Sequence, residues 1–278
     1  MTAEVRAGES GRRCAVLGSP ITHSLSPALH QAAYAVLGLD WRYHRFEVTE
    51  GALARFVADL DDTWRGLSLT MPLKVAALEL GEVEPLARLA GAANTLVLEP
   101  DGSRRLHNTD VGGLVWALQR AGVPALERAT ILGAGATARS TLVSLHQLGA
   151  RSFVVVARSP AKAAALVALG RELGTDVQVQ EWSAPMPSSD AVLSTVAAGA
   201  ADDLAERAAA SAPVVFDAGY DPWPTRLAEA ATAAGCRTVN GLDLLVGQAL
   251  LQLELMTGST VGAEVLYAAG RSALAASI

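Results

Sequence analysis

The sequence predicts an α/β fold, with strands and helices divided between two units. From Arg13 onward, short β-like runs alternate with amphipathic helical patterns, which is typical of a mostly parallel α/β architecture. Over residues 129–159, a strand pattern, a glycine-rich turn, a helix pattern and a second strand pattern follow one another. Two strongly apolar helices end the chain and need a large partner surface, so we expect them to pack back on the first unit.

The first unit opens with a strand at residues 14–18 and a helix at residues 26–38. Ser26 is a candidate N-cap of this helix, Pro27 suits its first position and Gly38 is a stop signal. The sequence predicts further strands at 41–48, 66–70, 94–98 and 104–108, and helices at 51–60 and 72–81.

The second unit starts near Asp110 with a predicted helix at residues 111–122. After the central glycine turn, the sequence predicts strands at 190–195, 212–219 and 237–241, a helix at 225–235, and closing helices at 242–258 and 260–270. The Ala-rich stretch 197–212 is weakly patterned. Boundaries near Asp110 and Asn240 predict one unit of residues 1–109 with 241–278 and another of residues 110–240.

Composition argues against several classes of function. A chain of 278 residues, 51% hydrophobic and 18% charged, can bury a sizeable core. The net charge of −6 and the lack of a long Lys/Arg run argue against a nucleic-acid or anionic-membrane surface, which needs a concentrated basic patch. An anionic ligand must therefore be held by local donors.

Cysteine usage and the N-terminal sequence point to the cytoplasm. Cys14 and Cys236 are far apart and outside any metal-type spacing, which predicts neither a disulfide framework nor a metal site. The first dozen residues lack the apolar core of a signal peptide, and no stretch reaches the roughly 18 uninterrupted apolar residues of a membrane span.

The glycine turn predicts a dinucleotide site of the Rossmann type. The motif G-x-G-x-x-A follows a strand and opens a helix, and it consists of Gly133, Ala134, Gly135, Ala136, Thr137 and Ala138. Its first glycine permits the tight turn, its second lets the backbone approach a pyrophosphate, and the alanine permits close helix packing. The alternative is a glycine turn without a ligand.

Basic residues after the next strand favour NADP over NAD. Arg158 and Ser159 end that strand, and Lys162 follows four residues after the arginine. An NAD site usually places an acidic residue here, whereas a guanidinium can bind the 2′-phosphate of NADP. The alternative is that these cations are solvated residues opening a helix.

Two polar clusters lie just after the first and third strands of the first unit. Ser24 and Ser26 are two residues apart before a helix, where both hydroxyls and the helix N-terminus can face one carboxylate. Lys74 falls in the first turn of the predicted helix 72–81, where the helix dipole favours loss of its proton and suits a general acid. The alternatives are an ordinary N-cap for Ser26 and a solvated surface residue for Lys74.

Two further clusters, GAANTL and HNTDVGG, each place an Asn-Thr pair at a strand edge. Asn94 offers a donor and an acceptor to substrate hydroxyls, and Asp110 can orient Lys74 or exchange protons with it. Turn capping is the alternative for both residues.

Taken in order, seven segments resemble the successive signatures of the shikimate dehydrogenase family over nearly the whole chain. They are GSPITHSLSPALH, SLTMPLK, GAANTL, NTDVGG, GAGATAR, DAGYDPWPT and GLDLLVGQAL. The resemblance implies an N-terminal α/β substrate domain, a Rossmann-type NADP-binding domain and C-terminal helices returning to the substrate domain. It also implies interconversion of 3-dehydroshikimate and shikimate with NADP(H), in the cytoplasm, by a monomer or homodimer.

The resemblance also implies roles, carried over by position. The carboxylate of shikimate would be held by Ser24, Ser26 and Tyr220, and its ring hydroxyls would be contacted by Thr70, Asn94, Asp110 and Gln248. Lys74 and Asp110 would be the catalytic pair, with Lys74 donating a proton to the C3 oxygen. Beside the glycine turn and the basic residues, NADP would contact Thr195, Gly241 and Leu244.

The chain departs from the family pattern at several positions. The family usually has Asn at the positions of Ser68 and Ala157, Arg at that of Lys162 and Met at that of Leu244. Ala136 replaces a residue that is usually glycine-like, so its backbone must adopt ordinary angles. Three alternatives remain at this point: a quinate or aminoshikimate dehydrogenase, a non-catalytic ligand sensor, and a folate-type dehydrogenase of similar architecture.

Overall fold

The computed structural model describes residues 11–123 and 125–276. The chain forms two compact units, one of residues 1–109 with 245–278 and one of residues 110–244. Each unit is built on its own six-stranded sheet, and the predicted α/β class is confirmed. The second division lies at Leu244, slightly later in the chain than the predicted position at Asn240.

The first unit has a mixed sheet in the order β2-β1-β3-β5-β6-β4. Its strands are β1 (Arg13–Gly18), β2 (Arg42–Glu47), β3 (Trp64–Leu69), β4 (Glu82–Val83), β5 (Thr95–Leu98) and β6 (Arg104–His107). The helices that precede residue 109 are α1 (Ser26–Leu37), α2 (Glu50–Ala58) and α3 (Pro85–Ala90).

Strand direction brings four chain segments to one edge of this sheet. β1 and β3 are parallel, so the loops that follow them leave from the same edge. β5 is antiparallel to β3 and to β6, so β5 begins at that edge and β6 ends there. The polar clusters after β1, after β3, before β5 and after β6 therefore share one edge of the sheet, called the polar edge below.

The second unit has an all-parallel sheet in the order β12-β11-β10-β7-β8-β9. Its strands are β7 (Arg128–Leu132), β8 (Ser152–Ala157), β9 (Asp176–Glu181), β10 (Ala191–Ser194), β11 (Val214–Asp217) and β12 (Arg237–Asn240). Its helices are α4 (Thr109–Arg120), α5 (Ala136–Gln147), α6 (Ala164–Glu172), α7 (Ala205–Ser211) and α8 (Arg226–Ala233). This strand order is that of the Rossmann fold.

Two closing helices, α9 (Gly241–Thr257) and α10 (Ala263–Ala275), complete the first unit from residue 245 onward, as predicted. α10 packs against α1. α9 lies so close to β3 that a Cβ atom at Gly66 would stand 2.7 Å from the Met256 Cγ. The absence of a side chain at Gly66 therefore lets α9 approach the sheet.

The predicted helix at residues 72–81 is wrong. The chain forms turns there, followed by a short 3₁₀ helix at Ala76–Glu79. The carbonyl of Lys74 accepts from the backbone N–H of Ala93 at 2.8 Å, and Leu78 N–H bonds to Val75 instead. A long-range hydrogen bond thus replaces an i→i+4 bond, and the α-helical ladder cannot extend through Lys74.

Other expectations also need correction. β4, α3, α6, β9 and α7 were not predicted, and α7 forms within the Ala-rich stretch that showed little pattern. The N-cap of α1 is Leu25, without a side-chain capping bond, so the expectation that Ser26 is the N-cap is wrong. Gly38 ends α1 in the left-handed region at φ 67°, as predicted.

Within the described residues, no helix combines the length and apolar character needed to cross a membrane.

Candidate active site

The loops after β1 and β3 approach each other closely at the polar edge. A Cβ atom at Gly18 would stand 2.4 Å from the Thr70 Cγ2, so only glycine leaves room for this contact. Ser19 N–H donates to the Met71 carbonyl at 2.9 Å, and Thr70 N–H donates to the Leu17 carbonyl at 2.9 Å. These bonds fix the Ser24 loop beside the turn that carries Lys74.

Ser24 and Ser26 occupy the start of α1, and their surroundings differ. The Ser24 hydroxyl is half-buried and accepts from the Ser26 N–H at 3.4 Å. Ser26 is buried. Two hydroxyls and the first turn of a twelve-residue helix therefore lie together, as a carboxylate site requires.

Lys74 is half-buried in the turn after β3. Its carbonyl is bonded to Ala93, and Leu69 N–H donates to the Asn94 carbonyl at 2.7 Å. The turn is therefore held next to Asn94 by backbone bonds on both sides. The helix dipole invoked for Lys74 from sequence has no basis here, because no α-helix begins at this turn.

Asn94 is buried, and its side-chain oxygen accepts three hydrogen bonds. The donors are the Thr109 N–H at 2.7 Å, the Thr109 hydroxyl at 3.0 Å and the Thr95 hydroxyl at 3.0 Å. Thr109 is the first residue of α4, so Asn94 partly fulfils the capping role expected as its alternative. Asp110 follows as the second residue of α4 and is 6% exposed.

Gln248 lies on α9 and is buried, with its amide N–H₂ donating to the Leu245 carbonyl at 2.8 Å. The start of α9 is fixed by a reciprocal pair of bonds. Asn240 N–H donates to Asp243 Oδ2, and Asp243 N–H donates to Asn240 Oδ1, both at 2.9 Å. This is a capping box, which sets where the helix that carries Gln248 begins.

In the second unit, the glycine turn joins β7 to α5 as predicted. Gly133 has φ +108°, and a Cβ atom there would lie 2.7 Å from the Thr195 Oγ1. A Cβ at Gly135 would meet no atom within 4 Å, so the backbone at the start of α5 is open to a ligand. Ala138 is fully buried. No described non-glycine residue has a positive φ, so Ala136 adopts the ordinary backbone angles that an alanine requires. This turn fits the pyrophosphate of a dinucleotide.

Arg158 is held in place although it is exposed. Its guanidinium donates to the Ala200 carbonyl at 2.6 Å and lies 4.9 Å from the ring centre of Trp182. The Trp182 indole N–H donates to the Asp203 carboxylate at 2.8 Å. Stacking on an aromatic ring restricts an arginine that would otherwise sample many rotamers. Lys162 is exposed in the 3₁₀ helix Pro160–Ala163.

Tyr220 follows β11 in a loop held by Asp217. The Asp217 carboxylate accepts from the Thr225 hydroxyl at 2.6 Å and from the Gly219 N–H at 3.1 Å. Burial raises the pKa of Tyr220, and the charge of Asp221 acts in the same direction, so its phenol stays protonated and able to donate. Gly241 packs on this loop, since a Cβ there would lie 2.0 Å from the Ala218 carbonyl oxygen.

Sequence reasoning missed several residues that shape these sites. Asp217 and Thr225 lie in the quoted segment DAGYDPWPT but were given no role. Tyr43, Gln252 and Trp182 carried no local signal, because their partners are distant in the chain; Ser68 and Gln252, for example, are separated by 184 positions.

Comparisons with known proteins agree with this geometry. Residues 16–96 match the family described as shikimate dehydrogenase substrate binding domain, and residues 117–212 match that described as shikimate / quinate 5-dehydrogenase. A curated relative, the shikimate dehydrogenase (NADP(+)) of Moorella thermoacetica, is 36% identical over 95% of this chain and 94% of its own.

Solved structures are similar over the same extent. A shikimate 5-dehydrogenase from Mycobacterium fortuitum is 44% identical, with a TM-score of 0.85, over 94% of this chain and 98% of that chain. The shikimate 5-dehydrogenase from Thermus thermophilus, in complex with NADP(H) and shikimate, is 31% identical, with a TM-score of 0.82. That match covers 95% of this chain and 100% of the other.

Proposed function

Because this chain belongs to the shikimate dehydrogenase family, we propose that it interconverts 3-dehydroshikimate and shikimate with NADP(H), a step of chorismate and aromatic amino-acid biosynthesis. The resemblance of the seven segments is thereby confirmed. The observation that carries the proposal is the polar edge, where strand direction gathers Ser24, Ser26, Thr70, Lys74 and Asn94 within one unit.

We propose that the polar edge binds the substrate. Ser24 and Ser26 hold its carboxylate with the N-terminal turn of α1, which explains how a chain of net charge −6 binds an anion. Thr70, Asn94, Asp110 and Gln248 contact the ring hydroxyls. The protonated phenol of Tyr220 adds a donor to the carboxylate.

Lys74 and Asp110 are the proposed acid–base pair. Lys74 Nζ donates a proton to the C3 oxygen during reduction, and it takes the hydroxyl proton back in the reverse direction. Asp110, a carboxylate that only accepts when ionised, orients the Lys74 ammonium and relays its proton. A positioned general acid contributes about 10²–10⁴-fold to the rate.

NADP(H) fits the second unit and supplies the hydride when bound. The open backbone at Gly135 and the first turn of α5, including Ala134, Ala136 and Thr137, are placed to hold the pyrophosphate. Arg158, aided by Ser159 and Lys162, binds the 2′-phosphate, and Leu244 provides an apolar wall for the nicotinamide. Thr195 and Gly241 are the remaining proposed contacts of NADP(H), and the Thr195 hydroxyl donates to the Leu132 carbonyl.

Initial rates with purified protein test the proposal. Shikimate and quinate are each paired with NADP⁺ and with NAD⁺, and reduction of the cofactor is followed. We expect a rate mainly with shikimate and NADP⁺. A preference for quinate would assign the chain to the sister activity within the family, and no rate with any pair would favour a ligand sensor.

We further propose that the enzyme acts in the cytoplasm as a monomer or homodimer. Light scattering coupled to gel filtration distinguishes the two masses, and fractionation of the source cells tests the compartment. A membrane-associated fraction or a larger assembly would contradict this part of the proposal.

A further inference from the structure

A buried network of hydrogen bonds lies beneath the polar edge, and Gln252 is its centre. Ser68 on β3 and Thr95 on β5 are cross-strand partners, so their side chains lie on the same face of the sheet. α9 covers this face, and the Gln252 side chain bonds to both hydroxyls. Its exposed fraction is 0%.

The orientation of the Gln252 amide is fixed by its neighbours. Its Nε2 donates to the Asn94 backbone carbonyl at 3.3 Å and to the Thr95 hydroxyl at 2.9 Å. A flipped amide would place Oε1 against the Asn94 carbonyl, which can only accept. The amide oxygen must therefore face the opposite side, where the Ser68 hydroxyl donates to it at 2.7 Å.

His30 and Tyr43 secure the oxygen side of Gln252. The His30 Nε2 lies 3.3 Å from the Gln252 Oε1, and the Tyr43 hydroxyl donates to Ser68 at 2.5 Å. Burial lowers the pKa of His30 to about 3, although the bond to Gln252 opposes this shift, so the imidazole is neutral and its Nε2 carries the proton. The small hydroxyl of Ser68 fits between Tyr43 and Gln252.

These hydrogen bonds continue from Gln252 to Asn94, the proposed substrate contact. Thr95 accepts from Gln252, and its own hydroxyl lies 3.0 Å from the Asn94 Oδ1 and 3.2 Å from the Thr109 hydroxyl. The Thr109 N–H also donates to the Asn94 Oδ1, at 2.7 Å. The Asn94 amide is thereby held with its oxygen toward Thr95 and Thr109, and its nitrogen lies on the other branch of the planar group. Asn94 is thus set as a hydrogen-bond donor to a substrate oxygen.

We propose that Gln252 is a positioning residue for substrate recognition, acting through Thr95 to hold the Asn94 amide in its donor orientation. This inference rests on the proposed function, because Asn94 is there assigned to a ring hydroxyl. Gln252 lies one helical turn after Gln248, so α9 then contributes one residue that contacts substrate and one that acts through another.

A double-mutant cycle tests this role. Gln252→Met keeps the length of the side chain and removes both polar ends. We expect it to lower kcat/KM for shikimate about tenfold, mainly through KM, since a lost buried hydrogen bond and a misplaced contact act on binding. KM for NADP⁺ should change less than about twofold, because the cofactor site is in the second unit.

The same substitution is then made in an Asn94→Ala background. If Gln252 acts through Asn94, Gln252→Met should lower kcat/KM there by less than about threefold. A full further tenfold loss, or an unchanged KM for shikimate in Gln252→Met alone, would overturn the inference. Inactive wild-type protein would instead overturn the proposed function, and the inference would fall with it.

A second pair of variants serves if Gln252→Met does not fold. Thr95→Val is isosteric and removes only the hydroxyl that links Gln252 to Asn94, whereas Thr95→Ser retains that hydroxyl. We expect Thr95→Val to reproduce the rise in KM for shikimate and Thr95→Ser to restore KM to within about twofold of wild type. Equal KM values for both variants would contradict the link.

Discussion

The two proposed binding regions are built by opposite means. At the polar edge, side chains carry the proposed recognition, and one of them, Asn94, is linked to buried bonds between β3, β5 and α9. At the glycine turn, the backbone carries it, and the space over Gly135 is open. A side-chain site needs a supporting network, whereas a backbone site needs only the right local conformation.

Replacing Lys74 should cause the largest loss of turnover, because it removes the proposed general acid and leaves both binding regions in place. The chain contains two lysines, Lys74 and Lys162, which form a natural matched pair. Lys74→Met should lower turnover by about 10²–10⁴-fold, the usual contribution of a positioned general acid. Steady-state rates measure this loss, and the affinity for NADP⁺ should stay unchanged.

Lys162→Met is the control, because it removes the same charge from the proposed cofactor site. It should raise KM for NADP⁺ and keep turnover within about threefold of wild type. Near-normal turnover of Lys74→Met would remove Lys74 from the mechanism.

The second prediction tests the backbone site. Gly135→Val places a side chain in open space at φ −87°, which valine adopts, so the fold should tolerate it. The affinity for NADP⁺ should fall about 100-fold or more, because the added methyl groups occupy the path of the pyrophosphate. Fluorescence titration with NADP⁺ measures the loss.

Gly133→Ala gives the opposite result at the neighbouring glycine. Its φ of +108° strains alanine, and the new Cβ would meet Thr195, so we expect a lower Tm of the protein. Unchanged NADP⁺ binding by Gly135→Val would show that the cofactor does not approach this turn.

The third prediction concerns cofactor choice. Arg158→Ala should weaken NADP⁺ about tenfold and leave NAD⁺ within about twofold, because only NADP⁺ carries the 2′-phosphate. Trp182→Leu should produce a smaller shift of the same kind, since Arg158 loses the ring on which it lies. Equal weakening of both cofactors by Arg158→Ala would contradict the assignment.

The smallest expected effect concerns stability under the polar edge. His30 has a pKa of about 3 in the folded protein and an ordinary value near 6.5 when unfolded. Below pH 6.5 the unfolded state binds a proton at His30 and the folded state does not. The free energy of unfolding is therefore highest above pH 6.5 and decreases as pH falls toward 3, by at most about 1.4 kcal/mol per pH unit.

Urea unfolding of wild type and His30→Gln at pH 7 and pH 5 measures this contribution. Wild type should lose more stability between the two pH values than the variant does. Equal losses would show that His30 is charged or exposed in the folded state.

The same contrast explains what could be predicted from the sequence. The glycine turn depends on consecutive residues, so its strand, its helix and the roles of Gly133 and Ala138 could be predicted before the structure. The α/β class followed equally from the alternation of patterns. By contrast, the prediction of a helix at 72–81 was wrong, because the Ala93 N–H donates to the Lys74 carbonyl. No local sequence pattern predicts this long-range bond.

Residues of the network were missed for the same reason. In the sequence, Gln252 is only one polar residue on an apolar helix. Its role becomes evident when α9 lies over Ser68 and Thr95. Trp182 gives no signal until β9 brings it beneath Arg158. Candidate contacts such as Ser24 and Asn94 could be predicted, but the groups that orient them required the tertiary structure.

Calorimetric binding of shikimate and NADP⁺, measured separately, tests whether the polar edge and the glycine turn bind different ligands. Wild type, Ser24→Ala and Gly135→Val are compared. We expect Ser24→Ala to lose affinity for shikimate and keep its affinity for NADP⁺. Gly135→Val should lose affinity for NADP⁺ and keep its affinity for shikimate. Loss of both ligands in either folded variant, or full retention of both, would contradict the division between a side-chain site and a backbone site.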